Sequence, residues 1–96
     1  MNSKKLFKCN KCGAIHFGLN KPFVCLDCNT PNAYENATKK DADSLLRNLG
    51  KRKLWRCFVC NDLQIGINPP TMCPTCGQLD SYAEINEKEI RILLEI

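Results

Sequence analysis

The chain has 96 residues, of which eight are cysteine, and its formal charge is +4 at pH 7 with the cysteines counted as neutral. A chain of this length forms one modest domain or two very small ones, and very small domains rarely hold together by an apolar core alone. No apolar run reaches the ~18 residues that span a membrane, and the N-terminus lacks the apolar stretch of a signal peptide. We therefore expect a cytoplasmic protein, in which reduced thiols bind metal rather than form disulfides.

One segment occurs twice, at a constant offset of 48 residues. Residues 7–29 read FKCNKCGAIHFGLNKPFVCLDCN, and residues 55–77 read WRCFVCNDLQIGINPPTMCPTCG. Between residues 5 and 34, ten positions are identical to their counterparts at residues 53–82, and six of them are not cysteine. This pattern indicates a duplicated unit in which each copy closes its own site, the rival arrangement being sites shared between the copies.

Each copy is predicted to contain a strand, a turn and a returning segment. A short apolar run follows the first cysteine pair, at residues 14–17 and again at residues 63–67. Gly18 or Gly66 ends the run and prolines follow, which is typical of hairpin turns.

The segment between the copies, residues 39–52, has a different composition and is predicted to be a helical linker. Asp41 or Asp43 is a suitable N-terminal cap, and Gly50 stands where helices commonly end.

The last segment, residues 87–96, is an apolar tail with two alternatives. Asn86 as a cap with Glu89 three residues later favours a helix. Alternation of large aliphatic residues at every second position from Ile90 to Ile96 favours a strand. The chain thus divides into a first unit, a linker, a second unit and a tail at residues 1–38, 39–52, 53–86 and 87–96.

The residue after the second cysteine of each pair is glycine or asparagine. These are the residues that most readily adopt a positive φ, and a CxxC pair that chelates one ion needs this geometry at its exit. We therefore predict metal-binding knuckles that end at Gly13, Asn29, Asn61 and Gly77.

Four thiolates in each copy are the predicted metal ligands, and tetrahedral coordination by four sulfurs suits zinc or iron. Covalent haem attachment is excluded because no pair is followed by histidine, and no βαβ pattern indicates a thioredoxin-like dithiol. We expect two metal ions per chain, held by Cys9, Cys12, Cys25, Cys28, Cys57, Cys60, Cys73 and Cys76.

The second copy, residues 55–85, resembles the short rubredoxin-like domain at the C-terminal end of rubrerythrins. It has an aromatic residue two positions before the first cysteine, a glycine before the prolines, the sequence CPxCG, and a later aromatic residue. Asn61 and Asp62 depart from the family pattern, as do Phe7, Leu26 and Asn29 in the first copy. The matching residues are Trp55, Cys57, Cys60, Gly66, Pro69, Pro70, Cys73, Pro74, Cys76, Gly77 and Tyr82.

This resemblance implies a small, metal-stabilised, mainly β fold, with two rubredoxin-like or zinc-ribbon units joined by a short helix. It also implies mononuclear Fe(Cys)4 centres that carry single electrons, so iron is preferred over zinc. The chain lacks the helical bundle and the His ligands on which rubrerythrins carry out peroxide chemistry. We therefore expect no enzyme, but an electron carrier that serves a separate redox protein.

The rival hypothesis is a tandem zinc-ribbon module that binds protein or nucleic acid, since zinc accepts the same ligands. Two tetrathiolate sites with divalent ions bring the net charge to about zero, so we do not expect a nucleic-acid partner. The apolar tail is the candidate for homo-oligomer formation.

The remaining conspicuous side chains are given structural roles. The aromatic residues Phe7, Tyr34, Trp55 and Tyr82 are predicted to line the small core beside each metal. When the two copies are aligned, His16 and Gln64 occupy equivalent positions. Because Gln is no metal ligand in such a site, His16 is expected to be a surface residue.

Overall fold

A single antiparallel sheet runs through both copies in the computed structural model, which describes residues 4–96. Its six strands lie in the order β3-β1-β2-β5-β4-β6, so that each copy contributes three neighbouring strands. The strands are β1 (Lys5–Cys9), β2 (Ile15–Gly18), β3 (Tyr34–Asn36), β4 (Lys53–Cys57), β5 (Leu63–Gly66) and β6 (Tyr82–Ile85). The predicted mainly β architecture and the apolar strand after each first cysteine pair are confirmed.

The two copies meet where β2 pairs with β5. In this antiparallel pair His16 lies opposite Gln64, the residue 48 positions further along the chain. Ile15 lies opposite Ile65, and Phe17 opposite Leu63. Exchanging the copies maps this register onto itself, so an approximate twofold axis passes between His16 and Gln64.

One helix follows the third strand of each copy. These helices are α1 (Lys39–Arg47) in the first copy and α2 (Glu87–Leu94) in the second. The helix predicted between the copies forms over Lys39–Arg47, but its cap is Thr38 rather than an aspartate. Asp41 is the third helical residue and closes a capping box by accepting from the Thr38 backbone N–H. The tail is a helix capped by Asn86, whose side chain accepts from the Glu89 N–H at 2.8 Å, so the strand alternative is wrong.

The helices are themselves related by the offset of 48 residues. Their caps, Thr38 and Asn86, are equivalent positions, and an ion pair of 2.8 Å joins the equivalent residues Asp43 and Arg91. The repeated unit is therefore longer than the cysteine segment and includes a helix in each copy. Neither helix in the described part of the chain is long and apolar enough to cross a membrane.

One apolar core lies between the helices and a face of the sheet, and both copies contribute to it. Most members occur in pairs 48 residues apart, such as Leu6 with Leu54 and Ala42 with Ile90. The opposite face of the sheet is covered by the loops that carry the cysteines, where Phe7 and Tyr34 pack with Cys9. The buried core residues are Leu6, Ile15, Ala42, Leu46, Leu54, Leu63, Ile65, Ile90 and Leu94.

Replacing Ile90 by Ala should destabilise both copies together, because this fully buried side chain belongs to the shared core. We expect the free energy of unfolding to fall by about 2–5 kcal/mol. Denaturant unfolding of the metal-loaded protein measures this change in free energy. Trp55 fluorescence reports unfolding of the second copy, and circular dichroism reports unfolding of the whole backbone.

The matched control is Ile92→Ala on the same helix, since Ile92 is 67% exposed. It should change the free energy of unfolding by no more than about 0.5 kcal/mol. Equal effects of the two substitutions, or separate transitions for the two probes in Ile90→Ala, would contradict a core shared by the copies.

Candidate metal centres

The eight cysteines come together in two groups of four, one in each copy. Within each group the Sγ atoms lie within 4.8 Å of one another, so each group could hold a metal ion. The prediction that each copy closes its own site is therefore confirmed, and the rival of shared sites is wrong. We call Cys9, Cys12, Cys25 and Cys28 the first site, and Cys57, Cys60, Cys73 and Cys76 the second site.

The separation of the sulfur atoms fits tetrahedral coordination. A tetrahedron with metal–sulfur bonds of ~2.3 Å has edges of about 3.8 Å. In the first site, Cys9 Sγ lies 3.7 Å from Cys28 Sγ. In the second site, Cys57 Sγ lies 3.8 Å from Cys76 Sγ, and Cys60 Sγ lies 3.3 Å from Cys73 Sγ. The thiol groups thus already stand at about the spacing that a bound zinc or iron ion requires.

The knuckle geometry predicted from the glycine and asparagine residues is confirmed at all four cysteine pairs. The backbone φ is +81° at Gly13, +62° at Asn29, +69° at Asn61 and +75° at Gly77. Each of these residues donates its N–H to the carbonyl of the first cysteine in its pair, over 2.8–3.0 Å. The positive φ lets the chain turn tightly enough to bring both cysteines of the pair to one ion.

Backbone N–H groups point at the sulfur of the first cysteine in each knuckle. Cys9 Sγ accepts from the N–H groups of Lys11 and Cys12, each at 3.4 Å. Cys25 Sγ accepts from Asp27 and Cys28 in the same way. These bonds favour the thiolate over the thiol, and they fix the direction in which each sulfur faces.

The thiols of the first site differ in their readiness to ionise. Burial raises the pKa of Cys12 and of Cys25 above the ordinary thiol value. At the exposed edge, hydrogen bonds from the side chain and backbone of Thr30 lower the pKa of Cys28 to about 6.

The second site shows the same division. Burial raises the pKa of Cys60 and of Cys73. Although burial also acts on Cys57, hydrogen bonds from the Ser81 side chain and from backbone N–H groups lower its pKa to about 6. Four adjacent sulfurs cannot all be negative in such surroundings without a cation, and a metal ion held there would supply that positive charge.

A buried polar cluster lies between the sites, and sequence reasoning missed it. His16 was expected at the surface, but it is fully buried and its Nδ1 lies 3.1 Å from Gln64 Oε1. The expectation was wrong because Gln64 is the hydrogen-bonding partner of His16 across the twofold axis, rather than a replacement for it. A polar residue at both equivalent positions beside the axis is the signal that could have revealed this.

Asp62 is the centre of this cluster. Its carboxylate lies 3.3 Å from Lys4 Nζ and 3.6 Å from His16 Nε2, and it accepts from the hydroxyl of Thr75. Burial alone would raise the pKa of Asp62, but the nearby His16, a hydrogen bond from Thr75 and the charge of Lys4 lower it below the ordinary value. Gly18 leaves room for the cluster, because a Cβ atom there would lie 2.6 Å from Asp62 Oδ2.

The cluster makes the surroundings of the two sites unequal. The residues equivalent to Asp62 and Ser81 in the first copy are Ala14 and Ala33, which are buried among the first-site ligands. In the second site Ser81 Oγ lies 3.1 Å from Cys57 Sγ, and Asp62 Oδ2 lies 3.8 Å from Cys73 Sγ. The first site is therefore enclosed by apolar groups where the second has polar ones.

Three of the four aromatic residues predicted beside the metal sites lie there. Phe7 and Tyr34 are buried against Cys9 and Cys25, as predicted. Tyr82 donates its hydroxyl toward Cys73 Sγ at 3.7 Å, so it also adjoins a ligand. Trp55 is half-buried, and its indole N–H donates to the Gly66 carbonyl at 3.2 Å.

Comparison with known proteins gives no family model, no curated protein and no solved structure that matches the chain. The two groups of four cysteines are consistent with a pair of rubredoxin-like or zinc-ribbon-like knuckles. The likeness to those families rests on this pattern alone.

Substituting Gly77 by Ala should weaken the second metal site. The backbone φ of +75° costs a residue with a Cβ atom about 1–2 kcal/mol, although no other group would touch that atom. We expect metal affinity at the second site to fall roughly 5- to 30-fold, measured by competition with a chromogenic chelator.

Gly77→Asn is the control for this substitution, since asparagine occupies the equivalent knuckle position at Asn29 and Asn61. It should retain an affinity much closer to that of the wild type. If Ala and Asn weaken the site equally, the positive φ is not what constrains this position.

Proposed function

We propose that the protein is a small electron carrier in which each four-cysteine site binds one iron ion and exchanges single electrons with a separate redox protein. The observation that supports this most directly is the pair of preformed tetrathiolate cages, with sulfurs at the spacing of a bound ion. When bound there, iron supplies the change between the ferric and ferrous states. The chain itself is proposed to catalyse no turnover of a substrate.

The rigidity of the knuckles suits this role. Each cage has four identical ligands, and the N–H groups of Lys11 and Cys12 hold Cys9 Sγ in a fixed direction. Fixed ligands keep the geometry nearly constant when the charge of the site changes, which lowers the cost of electron transfer. Hydrogen bonds to sulfur also favour the state with more negative charge, and this tunes the reduction potential.

One ligand of each site reaches the surface. Cys28 and Cys76 are exposed, whereas the first cysteine of every knuckle is buried. An exposed sulfur gives a partner protein direct access to the redox centre without opening the fold. We therefore propose that electrons enter and leave the protein through the exposed sulfurs of Cys28 and Cys76.

A short series of buried contacts joins the two sites and supports the proposal that electrons pass between them within the chain. From the second site it runs from Cys73 to Asp62 over 3.8 Å, and from Asp62 to His16 over 3.6 Å. The ring of His16 lies 6.3 Å from that of Tyr34, centroid to centroid, and Tyr34 packs with Cys25 of the first site. Such a path would let the two centres act as a relay.

Exposed apolar side chains near the second site offer a contact surface for the partner. Phe58, Val59, Met72 and Leu79 are each more than half exposed, and all belong to the cysteine-bearing loops of the second copy. A surface of a few side chains suits the small, transient interfaces of redox proteins.

A structural zinc module that binds another protein is the second candidate. The observation that favours it is the scarcity of regular structure around the second cysteine pair of each copy, which is flanked by one isolated bridge, Val24 with Pro31 or Met72 with Leu79. Loops of this kind need an ion to hold their shape, and zinc meets this need without redox chemistry.

Metal content and the visible spectrum separate these candidates. Protein expressed with ample iron and limited zinc should contain two irons per chain and show red thiolate-to-iron absorption that bleaches on reduction. Cys9→Ser combined with Cys57→Ser removes one ligand from each site, and this variant should lose the colour. Two zinc ions and no colour under the same conditions would instead make the ions structural.

A further inference from the structure

The knuckle that begins each site is bonded by a cation from the other copy. The Arg52 guanidinium, from the second copy, donates to the carbonyl oxygen of Cys12 in the first site. The Lys4 ammonium, from the first copy, donates to the carbonyl oxygen of Cys60 in the second site at 2.6 Å. Lys4 and Arg52 are equivalent residues, as are Cys12 and Cys60, so one contact has been formed twice across the twofold axis.

These cations lie in partly enclosed positions, where their charge is weakly screened. The Lys4 side chain is only 10% exposed and lies 3.3 Å from the buried Asp62 carboxylate. Arg52 is half-buried, and its Nη2 atom packs so closely over the first knuckle that a Cβ atom at Gly13 would lie 3.1 Å from it. Hydrogen bonds from a charged donor in such places are shorter and stronger than those between neutral groups.

Each contact bears on the metal-binding conformation. Cys12 and Cys60 are ligands, and the peptide that carries the bonded carbonyl leads into the residue with positive φ, Gly13 or Asn61. Fixing that carbonyl fixes the turn that aims both sulfurs of the pair at one ion. A neighbouring positive charge also offsets the negative charge of the thiolates.

We propose that Lys4 and Arg52 are reciprocal positioning residues, through which each copy completes the metal centre of the other copy. Arg52 holds the first site ready for its ion, and Lys4 does the same for the second site. This inference rests on metal binding at the two sites, as in the proposed function, but not on iron or on electron transfer.

Cadmium NMR of the full chain tests the proposal, because it reports each site separately. The wild-type protein loaded with two cadmium ions should give two resonances, each assigned by coupling to the cysteine Hβ protons of its site. Titration with a competing chelator then gives a dissociation constant for each site.

Arg52→Met should weaken cadmium binding about tenfold at the first site and leave the second site unchanged, although Arg52 belongs to the second copy. Lys4→Met should weaken the second site and leave the first unchanged. Arg52→Lys should recover most of the first-site affinity by restoring a cation. Lys5→Met and Lys53→Met are the matched controls, since these exposed neighbours carry the same charge without the contact, and neither should change either site.

Equal weakening of both sites by Arg52→Met would identify a general loss of stability and overturn the proposal. Unchanged affinity at the first site would also overturn it, as would an equal effect of Lys53→Met. If the wild-type protein binds no cadmium through its cysteines, the metal sites themselves are refuted, and the proposed function falls together with this inference.

Discussion

The pairing of β2 with β5 is the contact on which the rest of the molecule depends. A single copy has three short strands and one helix of eight or nine residues, which bury too little apolar surface to fold alone. Joining the copies edge to edge makes one six-stranded sheet, and both helices then close the same core over it. The same pairing brings Lys4 and Arg52 to the knuckles of the opposite copies.

The approximate symmetry holds for the backbone and the apolar core but not for the surroundings of the metals. Ala14 and Ala33 in the first copy become Asp62 and Ser81 in the second, so the two ligand sets have different neighbours. A buried carboxylate is costly unless it is paired, and Lys4, His16 and Thr75 provide its partners. Since groups around the ligands tune a metal centre, identical ligands do not make identical sites.

Local features of this fold could be predicted from the sequence, because local chemistry determines them. The knuckles follow from glycine or asparagine after each pair, and the spacing of Asn86 and Glu89 indicates the correct one of the two alternatives for the tail. The burial of His16 was harder to predict, because its partner lies 48 residues away in the other copy. The repetition of the helix was missed because most equivalent residues differ, such as Asp43 and Arg91, although Leu45 and Leu46 recur as Leu93 and Leu94.

The two faces of the sheet are held by different physical forces, and this separation explains how the fold combines stability with a reactive site. Burial of aliphatic side chains holds the helices on one face and needs no metal. On the other face, the ligands and the polar cluster around Asp62 organise loops that have little regular structure. The core can therefore stay constant while the identity or charge of the bound ions changes. The cations that cross between the copies, Lys4 and Arg52, are among the contacts that connect each metal site to the other half.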